Sequence, residues 1–140
     1  LLTFTDITQE LRSKEENRFV LDTLGIGVFT LNPITLELHW DKILHDLYER
    51  DDHQLSGNLN DFLDRVTEEK KAVLDLLESA LRGEREINTT LQISTWKGQK
   101  KYIGIRGKVV RDEKQMPIMV YGINWDKTKE VELEGVLQQE

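Results

Sequence analysis

The sequence predicts an α+β domain, with a five-stranded antiparallel sheet whose helices are inserted between the second and third strands. Three observations predict this fold class. Residues 27–41 and 86–125 alternate apolar and polar side chains, which is the pattern of half-buried strands. Residues 41–82 carry the helical period instead. Short turns rich in Gly, Pro, Asn and Asp separate neighbouring strands, as expected for direct antiparallel connections.

The first part of the chain is predicted to be a helix followed by two strands. Residues 6–24 contain neither Gly nor Pro and form a charged helix with a thin apolar stripe. We expect this helix to dock through its last two turns and to pair with another chain through its first. The strands cover 27–32 and 35–41, with the turn signal Asn32-Pro33 between them. Three apolar residues of the second strand share one face: Leu36, Leu38 and Trp40.

Three helices are predicted in the middle of the chain. The first covers residues 41–49 and begins with the capping acid Asp41, and the second covers 61–66. The acidic stretch between them is predicted to be a loop. The third has the strongest helical period. Thr67 is predicted to cap its start and Gly83 to end it.

Three longer strands complete the predicted sheet. They cover residues 86–95, 100–111 and 116–125 and are joined by two polar turns. The last of these strands is apolar on both faces, which predicts that it is central in the sheet and buried on both sides. A charged helix then starts at Asp126 and runs to the end of the sequence.

Composition and charge exclude several classes of function. Hydrophobic residues make up 38% of the chain and charged residues 32%, a water-soluble balance with no run near the ~20 apolar residues of a membrane span. The formal net charge of -7 does not suit nucleic-acid phosphates. The absence of Cys excludes disulfides, cysteine-bound metals, thiol nucleophiles and a flavin–cysteinyl adduct. We therefore expect a cytoplasmic domain without nucleic-acid or membrane contact.

Two Asp-x-Thr motifs lie about one domain length apart. They read Asp6-Ile7-Thr8 and Asp126-Lys127-Thr128, and each opens a charged helix that its Asp or Thr can cap. This repetition predicts a tandem array, in which residues 4–8 are the tail of a preceding module. The chain then divides into three parts: a linker helix at 1–24, a core domain at 25–126 and the start of a second helix at 127–140.

Several motifs follow one another in a family-specific order. Residues 19–29 match the entry to a first strand, Trp40-Asp41 a second strand, and Leu81-Arg82-Gly83 the end of a long connecting helix. The chain then matches a Gly-x-x-x-Asp-Ile-Thr signature as Gly122-Ile123-Asn124-Trp125-Asp126-Lys127-Thr128, with Lys127 where Ile is common. In their order and spacing these motifs resemble the PAS sensor domains. The resemblance implies a PAS-like five-stranded sheet flanked by N- and C-terminal signalling helices.

The resemblance also implies a function. It predicts a sensory or dimerisation module that forms a homodimer through its flanking helices and acts on an output domain in the same chain, a histidine kinase rather than a diguanylate cyclase. Asp126 and Thr128 form the expected mechanical junction, together with Gly122. Two alternatives remain open. One is a small α+β enzyme with a cone-shaped cavity, and the other is a ligand-free dimerisation spacer in a diguanylate cyclase-type protein.

A cavity for a small-molecule ligand is expected between the inner face of the sheet and the central helices. Seven residues are predicted to surround it: Phe29, Trp40, Leu44, Phe62, Leu77, Ile93 and Ile105. No catalytic residue and no metal ligand is predicted, because the acidic residues crowd into solvated stretches and no ligand spacing occurs. The basic residues of the second long strand are interpreted as its solvated face: Lys100, Arg106 and Lys108.

No cofactor is predicted. Haem is disfavoured because the helix at 68–82, where related haem-binding domains place their ligand, has no His. The three histidines, His39, His45 and His53, are interpreted as structural or solvated. A non-covalently bound flavin stays open, since several aromatic residues can line a pocket, but the favoured interpretation is that they fill the core.

Overall fold

The fold is a six-stranded antiparallel sheet with helices packed on one face. The computed structural model describes residue 16 and residues 18–50 and 56–138. The strands are β1 (Gly27–Leu31), β2 (Glu37–Trp40), β3 (Ser56–Asn58), β4 (Ile87–Ser94), β5 (Lys100–Arg111) and β6 (Pro117–Asp126). The helices are α1 (18–24), α2 (Lys42–Leu47), α3 (Leu59–Leu63), α4 (Lys70–Leu81) and α5 (Thr128–Gln138).

The α+β class and the position of the helices are as predicted, but the sheet has one more strand than expected. Its order is β3-β2-β1-β6-β5-β4. The extra strand β3 lies in the stretch predicted to be a loop, and it pairs with β2 through the register Leu38↔Gly57. It escaped prediction because it has three residues, one of them Gly57, and no apolar side chain to give an alternating pattern. The predicted module tail at 4–8 lies outside the described residues.

Strand β6 lies in the centre of the sheet, as predicted. It pairs with β1 through Phe29↔Gly122 and with β5 through Ile105↔Asn124. The prediction that both of its faces are buried is wrong, because Met119 and Tyr121 on the outer face are 37% and 41% exposed. Apolar side chains on both faces correctly indicate a central strand. Whether each face is buried depends on where the helices pack, and here they pack on the inner face.

Helix α2 is fixed to the sheet by its N-cap. The two carboxylate oxygens of Asp41 accept hydrogen bonds from the backbone N–H groups of Leu44 (3.0 Å) and Val28 (2.9 Å), so one side chain caps α2 and holds β1. Leu44 is completely buried, and Tyr48 beyond the helix stacks on Trp40 with ring centroids 4.6 Å apart. The predicted cap is confirmed.

Helix α4 begins differently from the prediction. Its N-cap is Glu69, which makes no side-chain capping bond, so the predicted cap at Thr67 is wrong. The Thr67 hydroxyl instead lies 3.1 Å from the Gln92 carbonyl oxygen and ties the loop to β4. The end of the helix is as predicted, since Gly83 adopts a left-handed φ of 78° one residue beyond the C-cap.

The turn before β2 also corrects one prediction. The Asn32 side-chain oxygen accepts hydrogen bonds from the backbone N–H groups of Ile34 (2.9 Å) and Thr35 (3.1 Å), which closes the predicted turn. Leu36 completes this turn with a left-handed φ of 64° and is exposed, so it does not share the buried face of Leu38 and Trp40. The hydrogen bonds of the turn fix the backbone at Leu36, so the alternation of buried and exposed side chains in β2 does not extend to this residue.

Gly122 gives a test of the close packing at the centre of the sheet. A Cβ atom at this position would collide with the Arg106 carbonyl oxygen and would lie 2.8 Å from Phe29 Cε1. We expect Gly122→Ala to lower the free energy of unfolding by about 1–3 kcal/mol, because the obstacle is mostly backbone. Chemical denaturation measures the change.

The matched control is Gly135→Ala in α5. A Cβ atom there meets nothing within 4 Å. Ala is up to about 1 kcal/mol better than Gly inside a helix, so this variant should be neutral or stabilised. Equal stabilities for the two variants would contradict the proposed crowding at Gly122.

Candidate functional site

An apolar cavity of about 80 Å³ lies between the inner face of the sheet and helices α3 and α4. Five of the seven residues predicted to surround a ligand line it: Phe29, Trp40, Phe62, Leu77 and Ile105. They come from β1, β2, α3, α4 and β5, so the cavity is formed where these elements converge. That these residues contact a ligand stays a prediction.

The other two predicted residues lie elsewhere in the core. Leu44 is fully buried against Gly27, where its side chain occupies the space that a Cβ atom would need. Ile93 is also fully buried and forms an isolated β-bridge with Val66. Neither residue lines the cavity. Both point inward as predicted, but an inward direction alone does not say whether a side chain meets a void or another side chain.

The cavity is also lined by residues that sequence reasoning did not select. Most are apolar: Leu31, Leu38, Leu59, Val73, Leu76, Ile87, Leu91 and Val120. Two are polar, Thr89 and Asn124. The alternation of β6 contained a usable signal, because it places Asn124 on the same face as the buried Val120.

Asn124 and Tyr48 form a buried polar pair beside the cavity. The Asn124 side-chain N–H donates to the Tyr48 hydroxyl oxygen over 2.8 Å. Tyr48 is completely buried, and Asn124 is only 3% exposed. Burial raises the pKa of the Tyr48 hydroxyl well above its ordinary value of 10.0, and the hydrogen bond from Asn124 opposes that rise only in part. The pair therefore stays uncharged.

The junction between β6 and α5 is held by three hydrogen bonds. The Lys127 backbone N–H donates to the Tyr102 carbonyl oxygen (2.7 Å), and the Tyr102 N–H donates to the Thr128 hydroxyl oxygen (3.0 Å). The Asp126 carboxylate accepts from the Thr128 N–H (2.9 Å). The first residue of α5 is thus fastened to β5. Asp126 and Thr128 are brought together here, whereas Gly122 lies four residues earlier in β6, against the Phe29 ring.

Helix α1 presents an uncovered apolar surface. Phe19, Val20 and Leu24 are 70%, 51% and 64% exposed, whereas Leu21 is partly buried. Of the last two turns, which are predicted to dock, Leu21 alone among these four apolar residues is partly buried, and it lies near Val28 and Asp41. Leu133 of α5 is similarly exposed.

The histidines and the basic strand lie as follows. His39 is exposed on β2, and His45 is buried with its ring edge-on to Trp40; neither lines the cavity. His53 is outside the described residues.

Three basic residues of β5 are exposed, as predicted: Lys100, Arg106 and Lys108. In the described part of the chain no group of three acidic or histidine side chains is placed to hold a metal ion, and no helix there is long and apolar enough to cross a bilayer.

The fold has close counterparts among solved structures. A sensory box histidine kinase/response regulator from Burkholderia thailandensis E264 matches with a TM-score of 0.75 and 18% identity, over 86% of this chain and 91% of that one. The N-terminal domain of a diguanylate cyclase with a PAS/PAC sensor from Marinobacter aquaeolei matches with a TM-score of 0.67 and 16% identity, over 75% and 97%.

A light-oxygen-voltage domain studied with a flavin analogue also matches. Its TM-score is 0.62 at 13% identity, over 86% of this chain and 93% of that one. No protein-family model and no curated protein matches the sequence. At these identities the comparisons establish the fold alone, and the fold of the chain is that of the PAS sensor domains.

The cavity does not fit a flavin. Its volume of about 80 Å³ is well below the ~300–1,000 Å³ of sites that enclose drug-sized ligands. The polar edge of a flavin ring needs several hydrogen-bond partners, and within the described part of the chain the polar residues of the lining are Thr89 and Asn124. The sequence has no Cys to form an adduct. We therefore assign no step to a flavin.

The buried Tyr48 hydroxyl predicts a particular response to alkaline pH. An unfolded tyrosine ionises near pH 10, whereas burial in the folded state holds the proton to higher pH. The resulting stabilisation is complete below about pH 10 and is lost as the pH rises above it, by up to ~1.4 kcal/mol per pH unit. Denaturant unfolding at several pH values measures this slope.

Tyr48→Phe is the control for that slope. The variant should be less stable at neutral pH by about 1–3 kcal/mol, because the Asn124 amide loses its hydrogen-bond partner. Its stability should then fall less steeply above pH ~10 than that of the wild type. Identical alkaline slopes in the two proteins would show that Tyr48 does not titrate with unfolding.

Proposed function

We propose that the chain is a cytoplasmic sensory and dimerisation domain that transmits the state of its cavity through α5 to an output domain in the same polypeptide. One observation carries the proposal. Strand β6 contributes Val120 and Asn124 to the cavity, and two residues after Asn124 the same strand enters the junction that starts α5. Cavity and exit helix therefore share one continuous element.

The junction is suited to such transmission because it is held by hydrogen bonds with defined partners. Lys127 and Thr128 bond to both the carbonyl oxygen and the N–H of Tyr102 on the neighbouring strand. A change in the position of β6 relative to β5 must break or reorient these bonds. Because they lie at the first turn of α5, the direction of the helix would change with them.

The favoured output is a histidine kinase of a two-component system. The support is the match to a domain of a sensory box histidine kinase/response regulator with a TM-score of 0.75. A diguanylate cyclase is the alternative output, since a domain of such a protein matches with a TM-score of 0.67. An enzyme with its active site in this cavity is disfavoured, because neither polar residue of the lining, Thr89 or Asn124, is an acid or a base near neutral pH.

The flanking helices are the proposed dimer contact. Three large apolar side chains on α1 are exposed, and burial of each would contribute roughly 1.5–3 kcal/mol. A second copy of the chain can supply the missing cover if the helices of two protomers pair. Leu133 on α5 adds to this surface, and α1 and α5 adjoin the same end of the sheet, because Gly27 at the start of β1 pairs with Asn124 near the end of β6.

The relay is tested at Asp126 and Thr128 in the full-length protein. Asp126→Ala removes the acceptor for the Thr128 N–H, and Thr128→Val removes the acceptor for the Tyr102 N–H. Each change should alter the activity of the output domain severalfold while lowering the stability of this domain by only about 1 kcal/mol. Autophosphorylation, or nucleotide cyclisation for a cyclase output, gives the first quantity.

Asp112→Ala is the matched control for the relay. The Asp112 carboxylate accepts backbone N–H bonds from Lys114 (2.8 Å) and Met116 (3.0 Å) in the turn before β6, far along the strand from α5. The Asp112→Ala variant should lower the stability of the domain by a similar amount and leave the activity of the output domain unchanged. An unchanged output in Asp126→Ala and Thr128→Val, or an equal change in Asp112→Ala, would refute the relay.

The dimer is tested by charge on α1. A double variant with Phe19→Glu and Leu24→Glu should weaken self-association at least tenfold, because it puts two buried carboxylates into the proposed contact. Sedimentation equilibrium of the chain measures the dissociation constant. Ile34→Glu is the control, since Ile34 is 81% exposed in the turn between β1 and β2. Equal dissociation constants for the wild type and the double variant would place the contact elsewhere.

A further inference from the structure

Asn124 has one amide atom with a partner and one without. Its Nδ2 atom donates to the Tyr48 hydroxyl, but its Oδ1 atom is buried with no hydrogen-bond partner among the described residues. Buried polar atoms without partners are uncommon in native proteins, and each costs about 1–3 kcal/mol. A buried carbonyl oxygen that is kept at this cost is a candidate for binding something that brings a donor.

Asn124 belongs to the lining of the cavity, whereas Tyr48, its hydrogen-bond partner, does not. The Oδ1 atom itself is buried behind that lining, so a donor in the cavity would reach it only after a small shift of the neighbouring side chains. Asn124 is only 3% exposed, so bulk water does not satisfy this oxygen in place of a ligand.

The rest of the lining restricts the chemistry of the occupant. Among the residues that the structure describes, no charged side chain lines the cavity, and Thr89 is the other polar residue of the lining. A charged ligand would lose its hydration without gaining a counter-ion, which is strongly unfavourable. An uncharged molecule loses little, and its apolar surface is favourably buried against Phe29, Leu77 and their neighbours.

The volume restricts the size of the occupant. The cavity of about 80 Å³ is roughly half the ~150 Å³ of an engineered apolar cavity that binds benzene. Its outer wall is formed by Val73, Leu76 and Leu77 of α4, which are only partly buried and so have room to move outward. A single small ring or a short branched chain is the size that suits this site.

We propose that the cavity binds a small, uncharged, mainly apolar molecule with a single hydrogen-bond donor, which donates to Oδ1 of Asn124. This inference rests on the proposed sensory function, and it names the class of ligand and the residue that recognises it. Recognition takes place on β6, two residues before Asp126. The ligand therefore acts directly on the strand that leads into α5.

Pyrrole and furan test the donor requirement. They are five-membered rings of nearly equal size, but pyrrole carries an N–H donor and furan does not. Titrating each into the isotope-labelled chain and following the β6 amide resonances gives two dissociation constants. We expect the ratio that favours pyrrole to be about tenfold larger in the wild type than in Asn124→Leu, which has nearly the same size but no acceptor.

Thr89→Val is the matched control, because it removes the other polar group of the lining and should keep the wild-type preference. If Asn124→Leu does not fold, the double variant Tyr48→Phe with Asn124→Leu replaces it. That change removes both partners of the buried hydrogen bond together, and such paired replacement is close to neutral.

The assignment would be overturned by no binding of pyrrole to the wild type, by a preference for furan, or by the same preference in the wild type and the Asn124 variants. A preference lost in Thr89→Val would transfer the recognition to Thr89 and would also overturn it. The relay is judged separately, since the effect of Asp126→Ala on the output does not depend on which probe binds.

Discussion

The hydrogen bond between Asn124 and Tyr48 joins the centre of the sheet to the helical connection, and it orients the aromatic cluster beside the cavity. Tyr48 follows α2, stacks on Trp40 and meets Phe62 of α3 edge-on. Asn124 lies on the central strand. A polar pair without access to water must find its partner in one geometry, whereas apolar contacts tolerate many. The pair therefore fixes how the aromatic cluster sits over β6, and the cavity is the space left beside it.

That arrangement makes β6 the element with the most varied environment. On its inner face, Gly122 leaves room for the Phe29 ring. Asn124 forms a hydrogen bond with Tyr48, and Val120 lines the cavity. Its outer face exposes Met119 and Tyr121, and its end is fastened to β5 through Thr128. Packing, polar recognition and the start of the exit helix meet on one strand of ten residues.

Much of this fold was predictable from the sequence, for identifiable reasons. The long strands alternate over enough residues to be unmistakable, and Asp41 and Gly83 act as the local signals predict because their partners are their own neighbours in the chain. Thr67 failed as a cap because its hydroxyl finds a partner on β4, about 25 residues away, which no local rule contains. Periodicity likewise shows that Leu44 and Ile93 point inward but not what lies opposite them. Asn124 was not predicted as a site residue because its role follows from its burial in the cavity lining and not from its residue type.

The void beneath α4 also determines how the domain responds to compression. Unfolding fills internal voids with chain and water, so the unfolded state occupies less volume than the folded one, and hydrostatic pressure favours it. A molecule that fills the cavity removes part of that difference in volume. The pressure at which half of the protein unfolds therefore reports whether the cavity is filled, whatever the chemical identity of its occupant.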